Sequence, residues 1–206
     1  PKDLEKEERY PTSAYDNLKR KISKQTGVWS FDLGNHKNVP LKKMRGSFQV
    51  QNAVLAWQTV DVLDYRYDLG ISTKNIKEGI AKAYWPGRLE LRKGVLVDCA
   101  HNPAGFEVLL HELSFFKHKK LIMVLGFSKD KDVKTIAKMV NNSADTIILT
   151  KADNERALPL NDFIHLFKKP IVIENPKKAV LHAKKLARKE DLVVVAGSIY
   201  LVGEIS

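Results

Sequence analysis

Charged and hydroxyl side chains occur directly after four apolar runs in the second half of the chain. The run that ends at Val97 is followed by Asp98-Cys99-Ala100-His101-Asn102-Pro103, and the run that ends at Leu125 by residues 126–132, which include Lys131. The run that ends at Leu149 is followed by residues 150–158, which include Lys151, Asn154 and Arg156, and the run that ends at Ala196 by Gly197-Ser198. Cations, hydroxyls and free backbone amides in such positions bind small anions such as phosphate and carboxylate.

The segment from Asp98 to Pro103 shows how an anion could be held. Asn102 can cap a helix that begins at Pro103, which would direct backbone N–H groups and the positive end of the helix dipole outward, with His101 beside them. Each candidate also has a simpler role that the sequence leaves open. Asp98 can stabilise a loop, His101 can be an ordinary loop histidine, and Ser198 can be only a helix N-cap. Lys131 and Arg156 can be surface charges.

Missing motifs narrow the chemistry further. No two glycines are two residues apart, so the G-x-G-x-x-G fingerprint of dinucleotide-binding proteins is absent, and no Gly-Lys-Ser/Thr phosphate loop occurs. The Cys99-x-His101 pair supplies too few ligands for a zinc site, which needs about four. We therefore predict no metal site in this chain and exclude an NAD-type dehydrogenase.

The spacing of apolar runs predicts the elements that position these residues. After a hairpin over residues 89–98, helices near 103–116, 131–142, 159–168 and 176–189 alternate with strands near 120–126, 145–149, 170–174 and 191–196. The strand runs, such as LVVVA, are apolar throughout, which is typical of parallel strands covered on both faces. The prediction is an α/β, Rossmann-like, mostly parallel sheet whose ligands bind at the carboxyl ends of the strands.

The preceding residues predict a different, mainly helical piece. We expect a helix over Ala14–Gln25, a hairpin with strands near 28–33 and 39–44, a long helix over residues 47–67 and a Ser72-capped helix to Tyr84. Trp85-Pro86-Gly87 breaks the last helix. The predicted domains are therefore residues 1–86 and 87–206.

Composition limits the class of protein. Lys+Arg 35 against Asp+Glu 24 gives a net charge of +11, but the lysines are scattered and form no compact basic run with aromatics, so we predict no nucleic-acid partner. No apolar run approaches the roughly 18 residues of a membrane span. With one cysteine, Cys99, and no apolar leader, we expect a cytoplasmic protein with no membrane partner.

Five motifs, in this order, resemble the bacterial folylpolyglutamate synthase and dihydrofolate synthase family, part of the wider Mur ligase family. They are Gly46-Ser47-Phe48-Gln49-Val50-Gln51-Asn52-Ala53, Trp85-Pro86-Gly87-Arg88-Leu89-Glu90, Asp98-Cys99-Ala100-His101-Asn102-Pro103, Asp130-Lys131-Asp132 and Gly197-Ser198-Ile199-Tyr200-Leu201-Val202-Gly203-Glu204. The resemblance covers the whole chain, but only as the carboxyl-terminal half of the family's sequence. It implies that residues 1–86 are the end of a central ATP-binding domain and residues 87–206 a glutamate-binding domain.

The resemblance implies an ATP-dependent ligase. In the family, ATP phosphorylates a carboxylate of folate or dihydropteroate, and the amino group of L-glutamate attacks the acyl phosphate to form an amide. The match implies that ATP contacts Asn52, Arg88, Asp98 and His101, that glutamate contacts Lys131, Ser198 and Arg156, and that His101 and Lys131 serve catalysis. Two departures weaken single matches: Phe48 stands where relatives carry His, and Glu155 replaces a proline before Arg156.

The same resemblance places the phosphate loop and the Mg²⁺ ligands of the family upstream of this chain, and Pro1 in place of Met agrees with that expectation. It also implies a monomer. We therefore predict that the 206-residue chain alone has no ligase activity. The alternatives are a fragment of a Mur-type cell-wall ligase and a non-catalytic anion-binding α/β module. Nucleic-acid binding driven by the net charge is a weaker third alternative.

Overall fold

The computed structural model describes residues 19–22, 29–33 and 35–205. The chain divides into two compact units, the first ending at Trp85 and the second beginning at Pro86. No helix in these described ranges is both long and apolar enough to cross a membrane.

The first unit combines a small antiparallel sheet with two helices. Its strands lie in the order β1-β2-β3, and α1 packs against β2 while α2 packs against β3. The ranges are β1 (Lys19–Ile22), β2 (Trp29–Leu33), β3 (His36–Pro40), α1 (Phe48–Tyr67) and α2 (Thr73–Lys82).

The helix predicted over Ala14–Gln25 is wrong where the structure describes it. Lys19–Ile22 form a strand that pairs antiparallel with Trp29–Asp32, because the ladder with β2 outweighs the local helical spacing. The remainder of that prediction lies outside the described residues. The predicted hairpin is present as β2 and β3, but its second strand lies at His36–Pro40, earlier than the predicted range.

The core of the first unit is formed by apolar side chains from the sheet and from one side of each helix. The helix α2 begins as predicted: the Ser72 side chain accepts the Asn75 backbone N–H, and Asn75 returns a bond to the Ser72 backbone. The buried members of this core are Trp29, Phe31, Val39, Leu41, Val50, Ala53, Val54, Trp57, Ile76 and Ile80.

The second unit is a six-stranded sheet in the order β4-β5-β9-β6-β7-β8, in which only the β4–β5 hairpin is antiparallel. This confirms the predicted mostly parallel α/β fold. The strands are β4 (Glu90–Arg92), β5 (Val95–Val97), β6 (Leu121–Leu125), β7 (Thr146–Leu149), β8 (Ile171–Val172) and β9 (Leu192–Ala196). The helices are α3 (Pro103–Leu113), α4 (Val133–Ser143), α5 (Pro176–Leu186) and α6 (Ile199–Glu204).

Both faces of this sheet are covered, as the apolar strands predict. On one face, Val97, Val124 and Val195 share a core with Ala179 and Ala183 of α5 and with Leu201 of α6. The alternate strand residues Leu96, Met123 and Val194 point to the other face and are equally buried. The helices α3 and α4 pack against each other.

The helix predicted over residues 159–168 is wrong. Two short 3₁₀ helices, Leu160–Asp162 and Ile164–Leu166, replace it, separated by Phe163 with a φ of −135°. The break serves the packing, because the Phe163 and Phe167 rings both contact the Phe127 ring at centroid distances of 5.5 and 6.1 Å. Asn161 and Asp162 are weak helix formers and do not oppose it.

Candidate functional site

The carboxyl ends of β5, β9, β6 and β7 form one continuous edge. The last strand, β9, lies between β5 and β6. The segments that follow β5, β9 and β6 are therefore neighbours. The Gly197 backbone N–H donates to the Ala100 carbonyl at 2.8 Å, and the Gly126 N–H donates to the Ala196 carbonyl at 3.4 Å. Gly197 has a φ of +111°, and a Cβ there would lie 2.6 Å from the Gly126 carbonyl oxygen, so only glycine fits.

Asp98 is the buried carboxylate of this edge and is only 5% exposed. Its Oδ2 accepts the Leu89 backbone N–H at 2.9 Å and its Oδ1 accepts the Ala100 N–H at 2.7 Å. Burial raises the pKa of this carboxyl, although the two amide bonds and the charges of Arg88 and His101 lower it. Asp98 therefore fastens the loop before β4 to the end of β5, and each of its oxygens keeps a further lone pair.

His101 and Asn102 follow Asp98 at the start of α3. The Asn102 side chain accepts the Gly105 backbone N–H at 2.7 Å, so it caps α3 as predicted, with Pro103 in the first turn. The His101 Nδ1 donates to the Cys99 carbonyl at 2.8 Å. In the neutral imidazole this leaves Nε2 as an acceptor on the half-buried ring.

Two cations flank one carboxylate after β6. The Lys131 Nζ lies 2.7 Å from the Asp130 Oδ2, and an Arg156 guanidinium nitrogen lies 3.8 Å from the same oxygen. The hydrogen bond from Lys131 is the main cause of the lowered pKa of Asp130. Asp130 is at the surface, where such a pair contributes little to stability.

Ser198 lies beside this cluster at the end of β9. It caps α6: its Oγ accepts the Tyr200 backbone N–H at 3.2 Å and lies 3.3 Å from the buried Ser128 Oγ. The Arg156 guanidinium donates to the Tyr200 hydroxyl at 3.3 Å, with its carbon 5.8 Å from the ring centroid. Contacts through Asp130 and Tyr200 thus link Lys131, Arg156 and Ser198, the three residues predicted to hold glutamate.

The residues predicted to contact ATP belong to both units of the chain. Asp98 and His101 lie together in the loop after β5, and the exposed Arg88 lies close enough to lower the pKa of Asp98. Asn52 belongs to the first unit, where it is exposed on α1 and its side-chain amide donates to the Gln49 Oε1 at 2.9 Å. The roles of these four residues toward ATP stay predictions.

Three residues that the sequence analysis did not assign take part in the cluster: Ser128, Asp130 and Tyr200. Each had a usable signal, because Ser128 and Asp130 follow β6 in the segment that carries Lys131, and Tyr200 follows Ser198 by two residues. Only the order of the strands shows that these segments are neighbours.

An open cleft of about 530 Å³ lies at the carboxyl ends of β7 and β8, lined by Lys151, Asp153, Ile173, Glu174, Asn175, Pro176, Lys178 and Glu204. None of the residues predicted to bind ATP or glutamate lines it. Within the described part of the chain, no group of three His, Cys, Asp or Glu side chains is arranged to hold a metal ion.

Known proteins share this sequence and fold. The 2,6-diaminopimelate-adding ligase of UDP-N-acetylmuramoyl-L-alanyl-D-glutamate from Clostridium perfringens is 29% identical, with 85% of this chain and 41% of the relative covered. The dihydrofolate synthase/folylpolyglutamate synthase of Bacillus subtilis is 28% identical, with 78% and 39% covered. The structure of Mycobacterium tuberculosis folylpolyglutamate synthase complexed with ADP matches with a TM-score of 0.75 and 26% identity, over 90% of this chain and 45% of that one.

The comparisons also show how much of each relative the chain covers and which part of the chain matches the family model. The chain spans about two fifths of the length of the curated relatives. Residues 87–199, which contain the strand edge described above except for Tyr200, match the model of the Mur ligase glutamate ligase domain. The chain therefore belongs to the Mur ligase family, and its second unit is that family's glutamate ligase domain.

Proposed function

We propose that this chain is the amino-acid-binding portion of an ATP-dependent ligase that adds L-glutamate to folate or dihydropteroate. In the reaction, a substrate carboxylate displaces ADP from the γ-phosphorus of ATP and becomes an acyl phosphate. The neutral amino group of glutamate then attacks the acyl carbon, phosphate leaves, and the amine loses a proton as the amide forms. The named relatives that are folylpolyglutamate synthases support this substrate class.

The observation that carries the proposal is the cation pair around Asp130. Lys131 and Arg156 place two positive charges about a single carboxylate oxygen, and Ser198 lies beside them through Tyr200. Glutamate carries two carboxylates, which hydrogen-bond strongly to ammonium and guanidinium groups. Held by its carboxylates, glutamate can present its amino group to an acyl phosphate without a free diffusional search.

The loop after β5 supports the nucleotide side of the proposal. Asp98 has a free lone pair on each carboxylate oxygen for a ribose hydroxyl, and Arg88 and the His101 imidazole can approach phosphate oxygens. Asn52 offers an exposed amide suited to a base edge. The described side chains do not form a metal cluster, so we assign Mg²⁺ to none of these residues and derive no step from it.

We also place the reaction in the cytoplasm, without a nucleic-acid partner. ATP is a cytoplasmic substrate, the one cysteine is a free, buried thiol, and the basic residues are scattered over the sequence.

A second candidate is a cell-wall ligase that adds 2,6-diaminopimelate, because the Clostridium perfringens relative matches over 198 residues. The two candidates differ in the amino acid bound by the same cluster. Diaminopimelate carries an additional amino group at its far end, which the cations Lys131 and Arg156 would repel.

Amide NMR spectra of the 206-residue chain, titrated with L-glutamate, D-glutamate, glutamine or meso-diaminopimelate, would test the choice. We expect L-glutamate to shift the amide signals of Lys131, Ser198 and Tyr200, and glutamine to act more weakly because it lacks one carboxylate. Stronger shifts with diaminopimelate would favour the cell-wall ligase. Shifts with none of the four would contradict an amino-acid site at this edge.

A further inference from the structure

Arg88 stands at the centre of a tightly held turn before β4. Its neighbours Gly87 and Leu89 are buried while Arg88 is exposed, so the turn presents a single charged side chain to solvent. Both neighbours have a positive φ, +68° for Gly87 and +46° for Leu89. A leucine in this left-handed region is strained, and it persists only where its surroundings fix it. The turn is therefore held by its contacts and not by local preference.

Hydrogen bonds to two carboxylates hold the turn on both sides of Arg88. The Gly87 backbone N–H donates to the Glu90 Oε2 at 2.8 Å. The Leu89 backbone N–H donates to the Asp98 Oδ2 at 2.9 Å. The peptide groups that flank Arg88 are thus fixed one by each carboxylate. Asp98 already has a proposed role toward the ribose, whereas Glu90 has none.

Glu90 is itself held in place by β4 and α6. Its Oε2 lies 2.7 Å from the Arg92 Nη2, and the Glu90 and Arg92 side chains are only 17% and 23% exposed. The Arg92 Nη1 donates to the Val202 carbonyl of α6 at 3.4 Å. A Cβ at Gly87 would lie 3.0 Å from the Val202 side chain, so α6 also packs against the turn. Arg92 therefore neutralises and orients the carboxylate that holds Gly87.

Stability alone does not explain the Glu90–Arg92 pair. Replacing a largely buried ion pair by apolar side chains of similar volume is often neutral or stabilising. The pair lies instead where it leaves Arg88 available for a ligand. No ion pair joins Arg88 to any residue that the structure describes, so its guanidinium is open to an anion from outside the chain.

We propose that Glu90 is a positioning residue for Arg88. It fixes the turn so that the Arg88 guanidinium is already directed outward when the phosphate groups of a nucleotide arrive. Ordering a long side chain on binding lowers affinity, and fixing its backbone beforehand reduces that loss. Glu90 itself does not contact the nucleotide. The inference rests on the proposed function, because ATP is the anion that the proposed function assigns to Arg88.

The test compares two double variants of the 206-residue chain that differ in one side chain. Glu90→Met with Arg92→Met replaces the ion pair by apolar groups and leaves no charge unpaired. Glu90→Gln with Arg92→Met also removes both charges but keeps an acceptor oxygen for the Gly87 N–H. Circular dichroism and urea unfolding verify that both variants fold. ADP is the probe, titrated into each chain and followed by amide NMR.

We expect Glu90→Met with Arg92→Met to weaken ADP binding by about two- to tenfold, which corresponds to ordering one flexible side chain. The same variant should speed hydrogen exchange at the Gly87 amide. Glu90→Gln with Arg92→Met should stay close to the wild type in both measurements, because the acceptor oxygen is retained.

A double-mutant cycle with Arg88→Ala separates positioning from a structural role. Arg88→Ala alone should weaken ADP binding by about tenfold or more, since it removes a charged hydrogen-bond donor. Adding Glu90→Met and Arg92→Met to it should weaken binding no further, because Glu90 acts through Arg88. A pair that only stabilises the fold would weaken binding equally with and without Arg88.

The outcomes distinguish this inference from the proposed function. Equal ADP affinity in the two double variants, unchanged exchange at Gly87, or additive losses in the cycle would overturn the inference alone. A wild type that binds no ADP, or Arg88→Ala that binds it as tightly as the wild type, would contradict the nucleotide side of the proposed function and overturn the inference with it.

Discussion

Lys131 and Arg156 meet at the carboxylate of Asp130, the residue before Lys131. Asp130 holds the Lys131 ammonium at 2.7 Å, and Arg156, after β7, approaches the same carboxylate while donating to Tyr200 at the end of β9. An incoming carboxylate would exchange with Asp130 as partner of both cations. A carboxylate of the protein is therefore already the partner of both cations, and in the proposed site it would hold them in place before glutamate binds.

We expect Lys131→Met to lower the affinity of the chain for L-glutamate by about tenfold or more, since a hydrogen bond to a charged group contributes roughly 1.5–3 kcal/mol. Amide NMR titration measures the change. Lys129→Met is the matched control, an exposed lysine of the same segment, and should leave the affinity unchanged. Equal losses in both variants would show that general positive charge, and not the Asp130 cluster, attracts the ligand.

Asp98 predicts a pH dependence of stability. Its pKa is raised above the ordinary 3.8 by burial, so the folded state binds this proton more tightly than the unfolded chain does. The contribution of Asp98 to the free energy of unfolding is therefore full below pH 3.8 and decreases as the pH rises through the raised pKa. The lowered pKa of the exposed Asp130 acts in the opposite direction: its contribution to stability is present above pH 3.8 and is lost as the pH falls.

Asp98→Asn removes the titrating carboxyl. The asparagine side chain has one acceptor oxygen, so its NH₂ group cannot accept the second of the two backbone N–H groups that Asp98 holds. We expect the variant to be less stable than the wild type at low pH, and the deficit to shrink as the pH rises. Urea unfolding between about pH 3.5 and about pH 7 measures both free energies. Asp162→Asn, at an exposed position, is the control for replacing one carboxylate by an amide. A deficit that grows with pH would contradict the burial argument.

At the scale of elements, the decisive feature is the insertion of β9 between β5 and β6. It brings the turn after β9 against the segment after β5, where the Gly197 N–H donates to the Ala100 carbonyl, and against the turn after β6 at Gly126. The glycine at 197 is needed for its φ of +111° and for the close approach to the Gly126 carbonyl.

Gly197→Ala should therefore destabilise the second unit, by roughly 1–3 kcal/mol from backbone strain alone, with the contact to Gly126 adding to it. Gly203→Ala, in α6 with open space around its Cβ position, should be neutral or stabilise by up to about 1 kcal/mol. Urea denaturation followed by circular dichroism compares the two. Similar midpoints for both variants would show that the edge relaxes more easily than the packing implies.

At the scale of the whole molecule, the second unit carries the cluster around Asp130 and the loop after β5, and the chain contains no Gly-Lys-Ser/Thr phosphate loop. Transfer of a phosphoryl group to a carboxylate brings two anions together, which requires donors placed around the phosphates. The residues assigned here supply only part of such an arrangement.

We therefore expect the 206-residue chain alone to form no product from ATP, L-glutamate and dihydropteroate or reduced folate. The measurement is incorporation of labelled glutamate together with release of phosphate. The Bacillus subtilis relative, assayed in parallel, is the positive control for the substrates. Steady turnover by the chain alone would show that it holds a complete phosphate site. That result would contradict the argument that its residues supply only part of the donors around the phosphates.

The sequence alone was sufficient for the α/β class of the second unit, its mostly parallel sheet, most element positions and the charged and hydroxyl residues at the strand ends. It was sufficient because apolar runs, caps such as Asn102 and turn glycines are local signals. It failed at Lys19–Ile22 and at residues 159–168, where pairing with β2 and packing around Phe127 outweigh local preference.

Only the tertiary structure determined which strand ends are neighbours. The position of β9 joins Ser198 to Ser128, links Arg156 to Tyr200, and sets the loop of Asp98 beside Gly197. Burial likewise assigned Asp98 two backbone amides that its sequence neighbourhood does not reveal. Strand order and burial depend on contacts between residues far apart in the chain, and the local pattern of a single sequence carries no record of those contacts.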